Sequence, residues 1–378
     1  MSGIDVEITS SALAVNEAWR ELVRHAPVNV FMDPVALNTV IDTHFADLRV
    51  LLAWDRQAKP AKLVGLWALR RAHATPLGPA MLSAPPYEYS FLSGPVIDPA
   101  RVDEVVPAFL AAIASDRSLP KVIRLKYLDG GSPTTGALLR SLGLRARQMR
   151  QISERDRPFA SREAGQKSSG STRKKLRQDW KRLSAVGEAD VVNDRTPDQV
   201  RAAFETFLAI EAASWKGAER TALLSHADSA AFARRLIGNL AEAGQASVAL
   251  LRLDGKAIAA QVLLYCGTTA YTWKTAFDAG FAKFSPGALL VDRITADLLA
   301  GDIEGIESCS PEGGFMAQLW SGRRSTIDLL ADVGTRWSPV FAIALLHESG
   351  YAELKALRNR LRACTWFPSS RHSLPAGE

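Results

Sequence analysis

The stretch "TAYTWKTAFDAGFAKFSPGALLVDRITADLLA" (residues 269–300) decides the fold that we predict for this chain. Apolar and polar residues alternate up to Phe277, which is the pattern of a half-buried strand. A short loop then ends in Ser285-Pro286-Gly287, and the apolar residues after it recur at helical spacing. The stretch therefore predicts a strand that is followed at once by a helix.

The start of that helix has the features of an anion-binding site. Ser285 is a predicted N-cap whose side chain accepts a hydrogen bond from the first turn, and Pro286 suits the first helical position. Gly287 and Ala288 have almost no side chain, so a ligand could approach the backbone closely. Phosphate groups bind at such helix starts because the free N–H groups and the helix dipole attract them. Ser-Pro is also an ordinary helix start, so a ligand-free cap is the alternative.

Length, charge and cysteine content exclude several classes of protein. The 378 residues are enough for two domains, and the net charge of +6 fits either an anionic ligand or a merely soluble surface. Cys266, Cys309 and Cys364 form no CxxC pair, so we expect neither a disulfide framework nor a zinc cluster. No HExxH motif or other metal-ligand spacing occurs, so we expect no metal. Without the pattern of a signal peptide or a membrane span, a cytoplasmic location is expected.

The two halves of the chain have the same predicted order of elements: helices, a hairpin or meander, a helix, a strand, a helix and a strand. The hairpin lies at 48–72, and the meander lies at 246–278 with a turn at Asp254-Gly255. We predict an α+β fold of two similar domains at 1–155 and 173–345. A polar linker would join them at 156–172, and a helix and tail would follow at 346–378. A chance similarity of two generic patterns is the alternative.

Four motifs of the second half carry a resemblance to a known family. They are "STRKKL" (171–176), "LAIEAASWKG" (208–217), "LDGKAIAAQVLLY" (253–265) and "FDAGFAKFSPGALL" (277–290). In order and spacing they resemble the CelD/BcsL-type acetyltransferases of bacterial cellulose and exopolysaccharide synthesis. The first half resembles this family more weakly, through "YEYSFLSGPVID" (87–98). The family looks like tandem GNAT domains in the manner of the FemAB aminoacyltransferases, each a mostly antiparallel mixed sheet flanked by helices.

This resemblance implies a reaction and a cofactor site. The chain would transfer an acyl group from acetyl-CoA to an amine or hydroxyl of a sugar or another precursor of a cell-surface polysaccharide. Pantetheine would follow the strand Tyr271–Phe277, and the pyrophosphate would lie at Phe284–Ala288. The expected cofactor-binding residues are Trp273, Thr275, Phe277, Phe284, Ser285, Pro286, Gly287 and Ala288.

Two carboxylates are the candidate catalytic residues. Glu211 and Trp215 are four apart on a predicted helix, so they share a face, and a carboxylate beside an indole in a cleft is a candidate general base. Asp278 ends the strand near which the acceptor would lie. Trp215, Lys216 and Glu307 are the expected acceptor-binding residues. A solvated Glu211, a Trp215 packed between domains and a turn aspartate at 278 are the alternatives.

Two other features leave further functions open. The helix "STRKKLRQDWKRL" (171–183) is basic, so it could contact the 3′-phosphate of coenzyme A, or tRNA in a FemAB-like aminoacyltransferase, or only solvent. In the resembled family a later short helix often begins with Tyr-Lys, whereas here it begins with Phe315-Met316. Neither residue can donate a proton. Transfer by proximity alone, or a non-catalytic binding protein of the polysaccharide machinery, would fit this difference.

Overall fold

The computed structural model describes residues 3–166 and 170–350. The strands are β1 (Ile4–Thr9), β2 (Leu48–Asp55), β3 (Lys62–His73), β4 (Ala80–Ala84), β5 (Val96–Ile97), β6 (Val122–Asp129), β7 (Gln148–Ser161), β8 (Ala189–Val192), β9 (Ala246–Leu253), β10 (Lys256–Cys266), β11 (Thr269–Phe277), β12 (Gly305–Glu307) and β13 (Arg323–Asp332). The α-helices are α1 (Asn16–Leu22), α2 (Pro34–Asp42), α3 (Val102–Ser115), α4 (Pro133–Arg145), α5 (Ser171–Ser184), α6 (Pro197–Ala213), α7 (Trp215–Ala218), α8 (Ala227–Glu242), α9 (Pro286–Ala300) and α10 (Met316–Leu319). Residues 340–350 are also helical, and the predicted tail at 351–378 lies outside the described residues.

The strands form one mixed sheet that continues from the first half of the chain into the second. Their order is β1-β2-β3-β4-β6-β13-β7-β12-β11-β10-β9-β8, and β5 pairs with β3 off this path. Strand β13 lies between β6 and β7 and is antiparallel to both. The last described strand of the second half therefore completes the sheet of the first half. This is the α+β arrangement of sheet and helices that the sequence predicts.

The helices of both halves share one apolar interior. Phe45, at the end of α2, stacks on Phe232 of α8 with 3.9 Å between the ring centroids. Phe31 lies edge-on to Tyr271 of β11 at 5.7 Å. A second core under α5 and α9 includes Leu290, which is fully buried. Burial of apolar surface across the two halves stabilises their relative position.

The predicted meander is confirmed as β9, β10 and β11. Its first turn, Asp254-Gly255, has φ values of 50° and 77°. Both values are positive, as a two-residue type I′ hairpin turn requires. β10 pairs with β9 on one side and with β11 on the other. The meander therefore uses one edge of β11, and the other edge faces strands from other parts of the chain.

Part of the predicted linker at 156–172 is a strand, because β7 continues to Ser161. Here β7 pairs with β12 on one side and β13 on the other, so neighbouring strands satisfy its backbone groups. Many of its side chains are polar and at least partly exposed, which is why its composition resembles that of a loop. The other end of the predicted linker belongs to α5, which begins at Ser171. The domain boundaries themselves stay a prediction.

Candidate functional site

The site lies where the parallel strands β11 and β12 separate. Thr269, Ala270 and Tyr271 pair with Gly305, Ile306 and Glu307, and no pair follows among the described residues. Thr272 holds the point of separation, because its Oγ1 donates a hydrogen bond to the carbonyl of Ser308 at 2.8 Å. Beyond it the gap widens into a cavity of about 770 Å³, which we call the β11–β12 cavity. This volume is in the range of small-molecule sites.

Six of the eight predicted cofactor-binding residues line this cavity: Trp273, Thr275, Phe277, Ser285, Gly287 and Ala288. The other two, Phe284 and Pro286, are buried beside it. Gly287 lies close to the strand, because a Cβ added to it would be 3.4 Å from the ring of Phe277. The structure thus brings the residues at the end of β11 and at the start of α9 to one wall. Their role in binding a cofactor stays a prediction.

The predicted N-cap role of the Ser285 side chain is wrong. Ser285 has a left-handed backbone with φ of 52°, and its side chain makes no capping hydrogen bond. A side chain caps a helix from an extended backbone, which Ser285 does not have. Its carbonyl instead accepts hydrogen bonds from the N–H groups of Ala288 and Leu289. Its Oγ accepts a hydrogen bond from Lys175 Nζ at 2.7 Å, which brings a cation from α5 to the start of α9.

Trp215 and Lys216 line the cavity on the side of α7. The Trp215 side chain projects from the protein, with 58% of the residue exposed. Lys216 Nζ donates a hydrogen bond to the carbonyl of Thr275 at 3.0 Å and another to Glu211 Oε1 at 3.2 Å. Lys216 therefore connects α7 to the free edge of β11. The predicted role of both residues in acceptor binding stays a prediction.

Glu211 lies behind the cavity wall and is fully buried. Its Oε1 is 3.2 Å from Lys216 Nζ and 3.9 Å from Lys274 Nζ. Its Oε2 accepts a hydrogen bond from the N–H of Leu223 at 2.9 Å. Glu211 does not line the cavity. Its role as a general base that contacts the acceptor stays a prediction that this geometry does not favour.

The other two predicted carboxylates also lie outside the cavity lining. Asp278 Oδ1 accepts a hydrogen bond from the N–H of Gly280 at 2.9 Å, so Asp278 caps the short 3-10 turn Ala279–Phe284. Its Oδ2 is 3.4 Å from Lys256 Nζ. Glu307 is fully buried, and its Oε2 accepts a hydrogen bond from Arg324 Nη1 at 2.9 Å. The roles of Asp278 in catalysis and of Glu307 in acceptor binding stay predictions without a contact to the cavity.

Sequence reasoning missed Lys274, whose side chain lines the cavity and is 13% exposed. Its Nζ lies 4.6 Å from the centre of the Tyr89 ring. Burial lowers the pKa of Lys274, and the nearby Glu211 carboxylate opposes this effect. A signal was present in the sequence, because Lys274 is a lone charge in the middle of a strand whose neighbours are apolar or small. Charges at such positions are seldom buried without a function or a partner.

Cys309 is a second lining residue that the sequence did not point to. It is buried and has a left-handed backbone with φ of 49°, which is strained for a residue with a Cβ. Burial raises the pKa of the Cys309 thiol. A thiol in this state is a poor nucleophile, because the thiolate is the reactive form. Cys309 therefore fits a packing role at the separation of β11 and β12.

The charges around the cavity have one sign. Lys175, Lys216 and Lys274 line it, and none of the described lining residues is Asp, Glu, His or Tyr. A concave surface lined by cations attracts anions and raises their local concentration. Tryptophan and phenylalanine side chains add apolar surface between the lysines. The arrangement is suited to a long ligand that has anionic groups and an apolar middle.

Comparison with known proteins agrees with this geometry. Residues 170–311 match a family model described as an acetyltransferase (GNAT) domain. The matched segment begins just before α5 and ends just after β12, so it includes both strands of the cavity and α9. No curated protein sequence matches the chain significantly.

Three solved structures share the fold at low sequence identity. FemX is 12% identical with a TM-score of 0.56, and the match covers 87% of this chain and 96% of that chain. The C-terminal domain of a protein described as a lysylphosphatidylglycerol synthetase, from Agrobacterium fabrum, is 14% identical with a TM-score of 0.53, and covers 87% and 94%. A protein of unknown function from Bacteroides thetaiotaomicron is 13% identical with a TM-score of 0.53, and covers 87% and 100%. These matches and the GNAT domain confirm the predicted GNAT-like α+β fold.

Two further findings bear on the predicted activity and on the absence of a membrane span. The GNAT domain supports an acyltransferase, and the narrower resemblance to CelD/BcsL-type proteins stays a prediction. Among the described helices, none is both long enough and apolar enough to cross a membrane.

Proposed function

We propose that the protein is an acyl-CoA-dependent acyltransferase that binds acetyl-CoA in the β11–β12 cavity. One observation carries the proposal. The matched GNAT domain contains a gap between two parallel strands that no described segment of the chain fills, and the gap leads to a helix start beside a lysine. GNAT domains use acyl-CoA as co-substrate. The acetyl group, rather than a longer acyl group, is inferred from the family resemblance.

In this proposal the pyrophosphate of acetyl-CoA lies at the start of α9. At this helix start Pro286 has no N–H, and the Ala288 N–H bonds to the Ser285 carbonyl. The Gly287 N–H is therefore the backbone donor for the ligand, at the positive end of the helix dipole. Lys175 adds a cation, and 60% of its side chain is exposed, so it can turn from Ser285 toward a phosphate. α9 has no acidic residue in its first turn that would repel the ligand. Gly287 has no side chain to block the approach of the ligand to the backbone.

Pantetheine would follow the free edge of β11. Lys216 already bonds the Thr275 carbonyl on this edge, and the other N–H and C=O groups of the edge can bind the amides of pantetheine as another strand would. Trp273 and Phe277 supply apolar surface along the same path. This arrangement would direct the thioester toward Thr272 and Ser308, where the two strands separate.

The acceptor would enter on the side of Trp215 and Lys216. We propose an amine or hydroxyl acceptor, and the family resemblance favours a sugar of a cell-surface polysaccharide precursor. The exposed ring of Trp215 offers a flat amphipathic surface for such a ligand. The amine or hydroxyl would attack the thioester carbonyl, and coenzyme A would leave as the thiol. The reaction is proposed for the cytoplasm, together with an association with polysaccharide-synthesis proteins.

Calorimetry of acetyl-CoA binding tests the proposal on the wild type, Gly287→Glu and Gly287→Ala. Alanine adds a Cβ at an ordinary contact distance from Phe277, so binding should change less than about threefold. Glutamate brings bulk and a negative charge to the pyrophosphate position, so binding should weaken at least about 100-fold. Thermal unfolding of each variant controls for folding. Absence of acetyl-CoA binding to the wild type would overturn the proposal, and salt-sensitive tRNA binding in its place would favour a FemAB-like aminoacyltransferase.

A further inference from the structure

We infer that Lys274 is the group that takes the proton from the acceptor during acyl transfer, and that Glu211 and Lys216 position and tune it. The inference rests on the proposed function, because it concerns the reaction in the β11–β12 cavity. The composition of the cavity wall limits the groups that could take this proton. Of the described lining residues, only the three lysines and Cys309 carry a titratable side chain.

Three of these four groups are held by other contacts or lack a basic site. Lys175 lies at the pyrophosphate end, where it bonds to Ser285 and pairs with Asp179. Lys216 Nζ donates hydrogen bonds to Glu211 and to the carbonyl of Thr275, so it is already held by two acceptors. Cys309 is a buried neutral thiol, which has no basic site of useful strength.

Lys274 differs from the other two lysines in its contacts. Its Nζ donates no hydrogen bond to any residue in the described part of the chain, and its nearest anion is Glu211 Oε1 at 3.9 Å. The same Oε1 is closer to Lys216, at 3.2 Å. One buried carboxylate therefore serves two lysines, and the closer lysine has the better contact. Lys274 is therefore the lysine of this pair with the weaker contact to an anion.

Some groups around Lys274 favour its charged form, and others favour its neutral form. Glu211 on α6 and Glu88 before β5 favour its charged form, as do the faces of the Tyr89 and Trp273 rings. Burial and the like charge of Lys216 on α7 favour the neutral amine. Burial is the largest effect, so the pKa of Lys274 is lowered. A lowered pKa makes the neutral amine of a lysine easier to form, and such an amine can act as a base and, once protonated, as an acid.

In the proposed reaction Lys274 first accepts a proton and then donates it. As the acceptor nitrogen or oxygen forms its bond to the acyl carbon, the neutral Lys274 amine takes the proton from that atom. The C–S bond then breaks, and the Lys274 ammonium gives the proton to the sulfur of coenzyme A. The products are the acylated acceptor and coenzyme A as the free thiol, and Lys274 returns to its starting state. This route needs no tyrosine at the position of Phe315, where the resembled family often has one.

NMR titration of protein labelled with [ε-¹³C]lysine tests the inference without an acceptor. Lys274→Met identifies the Lys274 signal by its loss. We expect Lys274 to titrate at lower pH than the exposed lysines, of which Lys174 is an example. Glu211→Gln should move its midpoint to still lower pH, because a carboxylate that favours the ammonium is removed. Lys216→Met should move the midpoint to higher pH, because a like charge is removed. Titration of Lys274 together with the exposed lysines, or shifts of both variants in the same direction, would overturn the inference.

A kinetic experiment separates this inference from the proposed function. Thiol release from acetyl-CoA is followed with hydroxylamine as a small soluble acceptor. Lys274→Arg keeps the cation but cannot release its proton near neutral pH, and Lys274→Met removes the base. Both should lower kcat about 100-fold while the calorimetric Kd for acetyl-CoA changes little, since a general base contributes 10²–10⁴-fold in rate. Unchanged kcat in both variants would overturn the role of Lys274 and leave the acyltransferase standing. Loss of acetyl-CoA binding in the wild type would instead remove the proposed function itself.

Discussion

Among the described residues, two pairs of parallel strands separate after a short pairing, and the gap of one pair opens into a cavity. In the second half β11 and β12 pair over three residues and then enclose the β11–β12 cavity. In the first half β4 and β6 also pair over three residues, from Leu82 with Ile123 to Ala84 with Leu125. Both halves thus have a parallel pair of strands that separates. The strand that continues past the pairing is the earlier one, β11, in the second half and the later one, β6, in the first.

The chain itself occupies the gap of the first half. Ser93, which is fully buried, donates its N–H to the carbonyl of Tyr127 at 3.4 Å and its hydroxyl to the carbonyl of Lys126. These carbonyls belong to β6 just beyond the end of its pairing with β4. The Trp67 indole donates to the carbonyl of Ser93 at 3.0 Å and fixes this loop. In the first half, the strand edge that continues past the pairing is that of β6, and a serine of the same chain already bonds to it.

The helix that connects the two strands of each pair also differs in charge between the halves. α3 carries Asp103 and Glu104 in its first turn, and these carboxylates complement the helix dipole without a ligand. α9 has no acid in its first turn and has Lys175 beside it instead. In our proposal, this topology forms a site where no described segment of the chain fills the gap and no acid lies at the helix start. The function of the first half would then be to support the second.

The largest expected effect concerns the packing of the loop that closes the first gap. Tyr87 is 2% exposed and contacts Phe31 and Phe232, with ring centroids 6.3 and 5.7 Å away. Tyr87→Ala should lower the free energy of unfolding by about 3–5 kcal/mol, because it leaves a cavity in the core. Phe315→Ala, in the wall of the β11–β12 cavity, should lower it by less than about 1 kcal/mol, because Phe315 is 40% exposed. Urea unfolding measures both, and equal losses would contradict the contrast between a filled and an empty gap.

A smaller effect concerns the cation at the start of α9. Lys175→Gln should weaken acetyl-CoA binding about tenfold, since one charge-assisted contact to a phosphate is lost. Lys174→Gln is the matched control on the same helix, because Lys174 is exposed and does not line the cavity. The difference between the two variants should shrink as salt is added, because exposed charges are screened. Calorimetry at two salt concentrations measures it, and equal affinities at low salt would remove Lys175 from the site.

Local patterns predicted the elements of the site but not all of its chemistry. The strand β11, the turn and the helix α9 follow from alternation, glycine and proline positions between 269 and 300. Trp215 and Lys216 were also predicted, through the motif around them. The burial of Glu211 could not be predicted, because it depends on Lys274 and Leu223, which the fold brings to it from other elements. The strand character of 156–161 was hidden for the same reason, since its partners β12 and β13 lie far along the sequence.

Native mass spectrometry of the chain with excess acetyl-CoA counts the bound molecules directly. Because the loop around Ser93 fills the gap of the first half and no described segment fills the gap between β11 and β12, we expect one acetyl-CoA per chain. We also expect Gly287→Glu to lower this number to none. Two bound molecules, or one that Gly287→Glu leaves in place, would contradict the assignment of the site to the gap between β11 and β12.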